Sequence, residues 1–181
     1  MNGAEKFEIL ISERELQERI REMGAQITRD YPEGDLVVVG VLKGAVVFLS
    51  DLVRQIDLPL SLDFMGLSSY GDATTSSGVV QITQDLSKPI LGKHVLVVED
   101  IVDTGLTLAF LRENFLARQP KSVRICTLLH KPSNTVKHVP LDYVGFTIEN
   151  RFVVGYGLDY EQKYRNLPYI GFLPPSASAA G

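Results

Sequence analysis

The chain has 181 residues, 45% of them hydrophobic, a length that suits one domain with a buried core. Its formal net charge of −4 provides no global basic field for nucleic acid or an anionic membrane, so any anionic ligand must be held locally. The one cysteine, Cys126, has no intrachain partner and lies in an apolar run, as a structural thiol of a reducing compartment would.

Phe7 to Ile11 is expected as a short strand, after a start that lacks a basic and then apolar leader pattern. Ser12-Glu13-Arg14-Glu15 reads as a capping box opening a helix, and Leu16, Ile20, Met23 and Ile27 then recur on one helical face. The segment Asp30 to Gly34 ends that helix. Leu36 to Val39 is a continuous run of the kind buried on both faces of a parallel sheet, Gly40 to Gly44 is expected as a tight turn, and Ala45, Phe48, Leu49 and Leu52 give a second helical stripe. Leu60 to Leu67 predicts a strand that runs into a small-polar loop, Ser68 to Gly78, and Val79 to Thr83 predicts its return. Such a pair is expected to make an arm with a mobile loop at its tip, and loops of this length tend to be linkers or active-site lids. Further strands are expected at Ser122 to Leu129, Tyr143 to Ile148 and Tyr169 to Leu173, and Pro174 to Gly181 is a small-residue tail expected to be disordered. Strands alternating with helices indicate an α/β domain with a mostly parallel sheet, and no apolar run approaches the roughly 18 residues of a membrane span, so a cytoplasmic protein is expected.

Chemistry concentrates between Lys93 and Leu116. An apolar run, Val95 to Val98, meets Glu99 and Asp100; a third acid, Asp103, lies in the turn Asp103-Thr104-Gly105-Leu106-Thr107; a helical stripe, Leu108, Leu111 and Phe115, follows. This is strand, acidic loop, helix, with the acids at the carboxyl end of a buried strand, where open α/β sheets bind ligands. Acids this close repel one another unless a cation or strong donors lie between them, and a hard ion such as Mg²⁺ fits oxygen ligands of this kind. The free N–H groups and dipole at the helix start, with two threonine hydroxyls, suit a phosphate. A phosphorylated sugar presents both hydroxyls and phosphate. A solvated acidic loop is the plain alternative. Asp-Thr-Gly also occurs in aspartic proteases, but those need two such loops, and Gly40 to Gly44 lacks the Gly-Lys-Ser/Thr order of a nucleotide phosphate loop.

The stretch Val97-Val98-Glu99-Asp100-Ile101-Val102-Asp103-Thr104-Gly105-Leu106-Thr107-Leu108 resembles the phosphoribosyl-pyrophosphate (PRPP) motif of type I phosphoribosyltransferases. Leu42-Lys43-Gly44, Ser68-Ser69-Tyr70-Gly71, Lys131-Pro132 and Phe152 to Tyr160 resemble, in order, the other motifs of the hypoxanthine-guanine family, so the likeness covers nearly the whole chain. It implies the type I phosphoribosyltransferase fold: one domain over residues 1–181 with a central, mostly parallel sheet flanked by helices, a small hood from the terminal segments and a mobile loop arm.

The resemblance also implies purine salvage. The 5-phosphoribosyl group passes from PRPP to N9 of a 6-oxopurine (hypoxanthine, guanine, with xanthine a further candidate), giving a nucleoside monophosphate and pyrophosphate through an oxocarbenium-like state. Glu99 and Asp100 would hold the ribose hydroxyls directly or through Mg²⁺; Asp103 would be the general base at N7; Thr104, Gly105, Leu106 and Thr107 would hold the 5′-phosphate. Lys43, Gly44 and Arg165 would bind pyrophosphate, and Asp159 would ligate a second Mg²⁺. Lys131 has donors only, so it suits the O6 carbonyl and cannot accept from the 6-amino group of adenine. Phe152 would stack on the purine beside Val153 and Leu158, with backbone carbonyls near Val153 and Asp159 receiving the 2-amino group of guanine. Ser68, Ser69, Tyr70 and Gly71 would close over the site. Read alone, Lys43 and Arg165 are solvated charges and Phe152 is plain core. His130 and Asn134 stand where bacterial relatives often carry Asp and Arg, which bears on base preference. Relatives form homodimers or homotetramers, and a homo-oligomer without nucleic-acid or membrane partners is expected. The alternative is a PRPP-sensing, nucleic-acid-binding regulator of the same fold; an orotate or adenine transferase would lack Lys131 with Phe152-Val153.

Overall fold

The computed structural model describes residues 7–32, 34–70 and 79–172; Gly71 with the remainder of the expected loop, and the tail 174–181, lie outside the described residues. The elements in chain order are β1 (Glu8–Ile11), α1 (Glu13–Asp30), β2 (Leu36–Leu42), α2 (Val46–Val53), β3 (Leu60–Tyr70) and β4 (Val79–Gln84). Then follow β5 (His94–Val102), α3 (Leu106–Leu116), β6 (Ser122–His130), a 3₁₀ turn (Pro132–Asn134), β7 (Tyr143–Thr147), β8 (Val153–Val154) and β9 (Ile170–Phe172).

Six strands form one sheet in the order β4-β3-β2-β5-β6-β7, with β4 antiparallel to β3 and all other pairs parallel. Alternation along its strands divides the core in two. Leu36, Val38, Leu96 and Val98 pack with Leu16, Ile20, Phe48 and Leu52 of α1 and α2, whereas Val37, Val39, Val95 and Val97 pack with Leu108, Leu111 and Phe115 of α3. Helices on both faces explain why these strands are apolar without a break. The terminal segments supply the expected hood, an antiparallel sheet β1-β9-β8. The capping box forms as read: Ser12 N donates to Glu15 Oε2 (2.8 Å) and Glu15 N to Ser12 Oγ (3.4 Å). At the outer edge, the Arg19 guanidinium on α1 donates to the carbonyls of Val144 (2.8 Å) and Gly145 (3.0 Å), which covers the free side of β7. Among the described residues no helix is long and apolar enough to cross a membrane.

Three boundaries differ from the sequence reading. β2 continues through Gly40 to Leu42, in register with β3 as far as Leu42 opposite Gly66. Gly40 is there for packing, since a Cβ on it would overlap the Leu49 side chain of α2; the turn starts only at Lys43. β5 continues through Glu99 and Asp100 to Val102, because its pairing with β6 runs on to Val102 opposite His130. The two acids are thus strand residues and only Asp103 belongs to the turn. Ser68, Ser69 and Tyr70, read as the start of the loop, are the end of β3, paired with Gln81, Val80 and Val79 of β4. Polar side chains there do not end the strand, because a hairpin ladder needs only backbone partners.

Candidate active site

From β2 the chain passes to β3 on one side, while β5 lies on the other side of β2 and leads on to β6 and β7. The strand order therefore reverses between β2 and β5, and the loops after these two strands diverge to leave a crevice at their carboxyl ends, the usual ligand position in such sheets. Lys43 and Gly44 follow β2; Glu99 and Asp100 lie near the end of β5, and Asp103 follows it directly.

The two loops meet directly. A Cβ built on Gly44 would lie 1.6 Å from Asp100 Oδ2, so only glycine lets this turn rest on the carboxylate. Asp100 Oδ1 accepts from Ile101 N at 2.8 Å. Burial pushes the Asp100 carboxyl above its ordinary range, partly offset by that N–H, by Glu99 and by the Arg165 guanidinium. Glu99 is pushed up further, first by burial and then by the Asp100 charge. Its Oε2 and the Oδ1 of Asp103 are two of only three buried side-chain polar atoms that lack a hydrogen-bond partner among the described residues. Both residues line one cavity of about 90 Å³, with Ile101, Thr104, Gly105 and Thr107 on its wall. Buried polar atoms are normally paired, so two acceptors left open in one small cavity mark a place for donors or a cation.

Thr104 to Thr107 form the other wall. Gly105 is the N-cap of α3 in a left-handed conformation (φ 80°), a position that suits glycine. No side chain caps this end, although Leu106 N leans toward Thr104 Oγ1 at 3.5 Å, so the first-turn N–H groups stay available to an anion. The turn is fastened from behind: Val136 N (2.9 Å) and Lys137 N (3.0 Å) both donate to the Thr104 carbonyl, and a Cβ on Gly105 would lie 2.1 Å from the Lys137 carbonyl.

Lys131 follows β6 directly, and its N–H donates to the Val102 carbonyl (2.9 Å), one residue before Asp103. It is 7% exposed and has no ion-pair partner among the described residues. Asn134, three residues on, donates to Asn150 Oδ1 at 2.9 Å, which links the Lys131 turn to the segment before Phe152. Phe152 is 56% exposed, so it is not core, and its ring meets Tyr160 edge to face at 5.7 Å. Val153 and Leu158 are buried.

Lys43 is exposed and the Leu42–Lys43 peptide is cis. Arg165 donates from Nη1 to the Gly157 carbonyl at 2.7 Å and pairs through Nη2 with Asp159 Oδ1 at 2.8 Å. The two residues expected to serve pyrophosphate and a second metal are thus paired with each other. Among the described residues no three His, Cys, Asp or Glu side chains gather as a metal group. Ser68 is half-buried, partway along the hairpin arm opposite Gln81. Cys126 is fully buried, with its thiol pushed far up by burial, and His94 bonds Ser122 Oγ (2.7 Å) at the start of β5, away from the acids; both are structural. Sequence reasoning missed the Val136-Lys137 fastening and the Asn134–Asn150 link. Gly105 just before a helix was the available signal for the first; nothing local marks the second.

The sequence profile of the phosphoribosyl transferase domain family matches residues 9–161. Over 168 residues the chain is 50% identical to the hypoxanthine-guanine phosphoribosyltransferase of Bacillus subtilis, covering 93% of each chain. It is 51% identical over 173 residues to the enzyme of that name from Mycobacterium tuberculosis, covering 92% of this chain and 86% of that one. A crystal structure of a hypoxanthine phosphoribosyltransferase from Staphylococcus aureus superposes with a TM-score of 0.90 at 49% identity, over 94% of this chain and 92% of the other. With the acids, helix start and buried lysine arranged as described, the chain belongs to the phosphoribosyl transferase family and stands within it among the hypoxanthine-guanine phosphoribosyltransferases.

Proposed function

We infer that this chain, as one domain, transfers the 5-phosphoribosyl group of PRPP to N9 of a 6-oxopurine, releasing pyrophosphate. The observation that carries this reading is the pair of unpartnered buried acceptors, Glu99 Oε2 and Asp103 Oδ1, in one cavity beside an uncapped helix start. Ribose hydroxyls are the donors that Glu99 Oε2 lacks and that Asp100 accepts beside the Ile101 N–H, and the 5′-phosphate is the anion that the N–H groups from Thr104 to Thr107 lack. Negative charge beside C1′ favours the cationic sugar as the bond to pyrophosphate stretches.

Mg²⁺ fits this donor set: Glu99 and Asp100 are adjacent hard-oxygen ligands whose burial is relieved by a cation, and Asp159 is available for a second ion when its pair with Arg165 opens. When bound, Mg²⁺ offsets the charge that develops on the leaving pyrophosphate. Lys43, the Gly44 turn and the freed Arg165 guanidinium bind that leaving group. Asp103 accepts the N7 proton as N9 bonds to C1′. Lys131 donates to O6, so a 6-oxopurine satisfies its buried ammonium while adenine offers it a second donor. Phe152 covers one face of the base, Val153 and Leu158 bound it, and carbonyls near Val153 and Asp159 meet the 2-amino group of guanine. Ser68, Ser69 and Tyr70 at the end of β3, with Gly71 next in sequence, serve to close over the site and keep water from the oxocarbenium-like state. The protein works in the cytoplasm as a homodimer or homotetramer. The alternative, a nucleic-acid-binding regulator sensing PRPP, has no observation in its favour.

The test is pyrophosphate release from PRPP and Mg²⁺ with hypoxanthine, guanine, xanthine and adenine offered one at a time. Release with hypoxanthine or guanine and none with adenine is expected. No release with any 6-oxopurine would overturn the assignment.

A further inference from the structure

The segment between the two purine walls, Val153 and Leu158, is held by a group that the transfer chemistry does not use. Tyr156 adopts a left-handed backbone (φ 51°), uncommon for a non-glycine residue, and its ring is buried at 3% exposure. Its hydroxyl donates to Asp51 Oδ2 on α2, and Gln17 Nε2 on α1 donates to Asp51 Oδ2 (3.0 Å) and to the Tyr156 hydroxyl (3.3 Å). Asp51 also pairs with Arg54. Burial pushes the Tyr156 phenol far up, so it remains a donor, while the hydrogen bonds on Asp51 outweigh its burial and keep its carboxyl below the usual range.

This link joins two halves of the site. α2 starts just after the Lys43-Gly44 turn. The residue after Tyr156, Gly157, lies against that turn so closely that a Cβ on it would be 2.1 Å from the Gly44 carbonyl. Gly157 is itself gripped by Arg165, its N–H donating to the Arg165 carbonyl (2.9 Å) and its carbonyl accepting from Nη1 (2.7 Å). Gly44 in turn rests on Asp100. The purine walls, the pyrophosphate turn and the ribose acid therefore touch in series, and the phenol–carboxylate bond fixes the outer end of the series to α2.

We propose that Tyr156, acting through Asp51, is a positioning residue that sets the pyrophosphate turn against the purine walls, so that loosening it weakens the binding of base and pyrophosphate together. The proposal rests on the functional reading above for which ligands the two halves hold. Tyr143 provides an internal control: its hydroxyl donates to Asp30 Oδ2 at 2.8 Å near the amino ends of the strands, remote from the site.

The experiment compares Tyr156→Phe, Asp51→Asn and Tyr143→Phe, each confirmed folded at the assay temperature. Melting midpoints, KM for hypoxanthine and PRPP, kcat, and the Kd for magnesium pyrophosphate by calorimetry are measured for each. Loss of a hydroxyl bonded to a carboxylate is expected to raise both KM values and the pyrophosphate Kd about tenfold in Tyr156→Phe, with kcat within about threefold. Asn keeps an acceptor for the phenol, so Asp51→Asn should recover part of that affinity. Tyr143→Phe should lower the midpoint and leave KM and Kd unchanged. The proposal is overturned if Tyr156→Phe lowers the midpoint alone, or if Tyr143→Phe raises KM and Kd as much. Wild-type protein that binds pyrophosphate but turns over no 6-oxopurine would overturn the functional reading instead, and the pyrophosphate Kd of Tyr156→Phe would still decide the positioning role.

Discussion

Gly44→Ala is the sharpest perturbation that the structure offers. The new methyl would lie 1.6 Å from Asp100 Oδ2 and 2.6 Å from Asp100 Cγ, so it meets a side-chain tip and not backbone. The carboxylate can escape by rotating, but it then leaves the Ile101 N–H that it accepts from at 2.8 Å. A hydrogen bond to a charged group contributes about 1.5–3 kcal/mol, and on the role proposed for Asp100 the same rotation would take the carboxylate from the ribose, so kcat/KM for PRPP should fall about 10- to 150-fold. Stability should change little, since Asp100 is disfavoured by burial and moving it outward returns part of that cost. The assay is initial-rate pyrophosphate release over a range of PRPP, beside a thermal melt, for wild type, Gly44→Ala, Asp100→Ala and the double variant. If the clash with Asp100 is the whole effect, Gly44→Ala costs less than about threefold in the Asp100→Ala background. An undiminished kcat/KM in the single variant, or an equal loss in both backgrounds, would refute the reasoning.

Lys131→Met keeps the length of the side chain and removes the donor. Hypoxanthine kcat/KM should fall about 10- to 150-fold while adenine stays inactive, and the melting midpoint should hold or rise, because a buried ammonium without an ion pair does not stabilise the fold. Gly105→Ala combines a left-handed backbone with overlap on the Lys137 carbonyl, about 2–4 kcal/mol together, or a midpoint lower by roughly 5–12 °C, with a raised KM for PRPP. Gly92→Ala, equally left-handed (φ 70°) but in open space, should cost only the first part. Acid stability reports on Asp51, whose pKa is depressed in the folded state. Its contribution is fully present above the ordinary value of 3.8 and is lost as pH falls through the lower folded value, so the midpoint gap between wild type and Asp51→Asn should be widest near neutrality and close toward pH 3. An equal gap at every pH would contradict that sign.

The features legible in the sequence are those that local pattern determines. The Ser12–Glu15 box and the stripe Leu16-Ile20-Met23-Ile27 encode start and period within a few residues and form as read, and the apolar runs at Leu36 and Val95 are strands as read although both continue past the ends expected for them. The errors occur where tertiary context overrides a local cue. Glu99 and Asp100 look like loop, yet strand pairing to Thr127 carries them into β5; Gly40 looks like a turn, yet it clears space for Leu49. Ser68 to Tyr70 look like linker, yet β4 pairs with them. The links that align the site were not legible, because their partners stand far apart in the chain: Tyr156 with Asp51 and Gln17, Thr104 with Lys137, and Gly157 with Gly44. The Asp159–Arg165 pair was not legible for another reason: it forms within an irregular segment between β8 and β9, where no helical or strand period indicates which side chains meet.

The central claim is that Asp103, poised with one carboxylate oxygen unpartnered in the cavity at the start of α3, takes the purine proton. Asp103→Asn preserves shape and removes basicity, so single-turnover kcat measured beside the calorimetric Kd of PRPP separates the roles. Loss of kcat by about 10²- to 10⁴-fold with the Kd for PRPP within about threefold is the predicted result. A fall in PRPP affinity as large as the fall in kcat, or a kcat left intact, would contradict it.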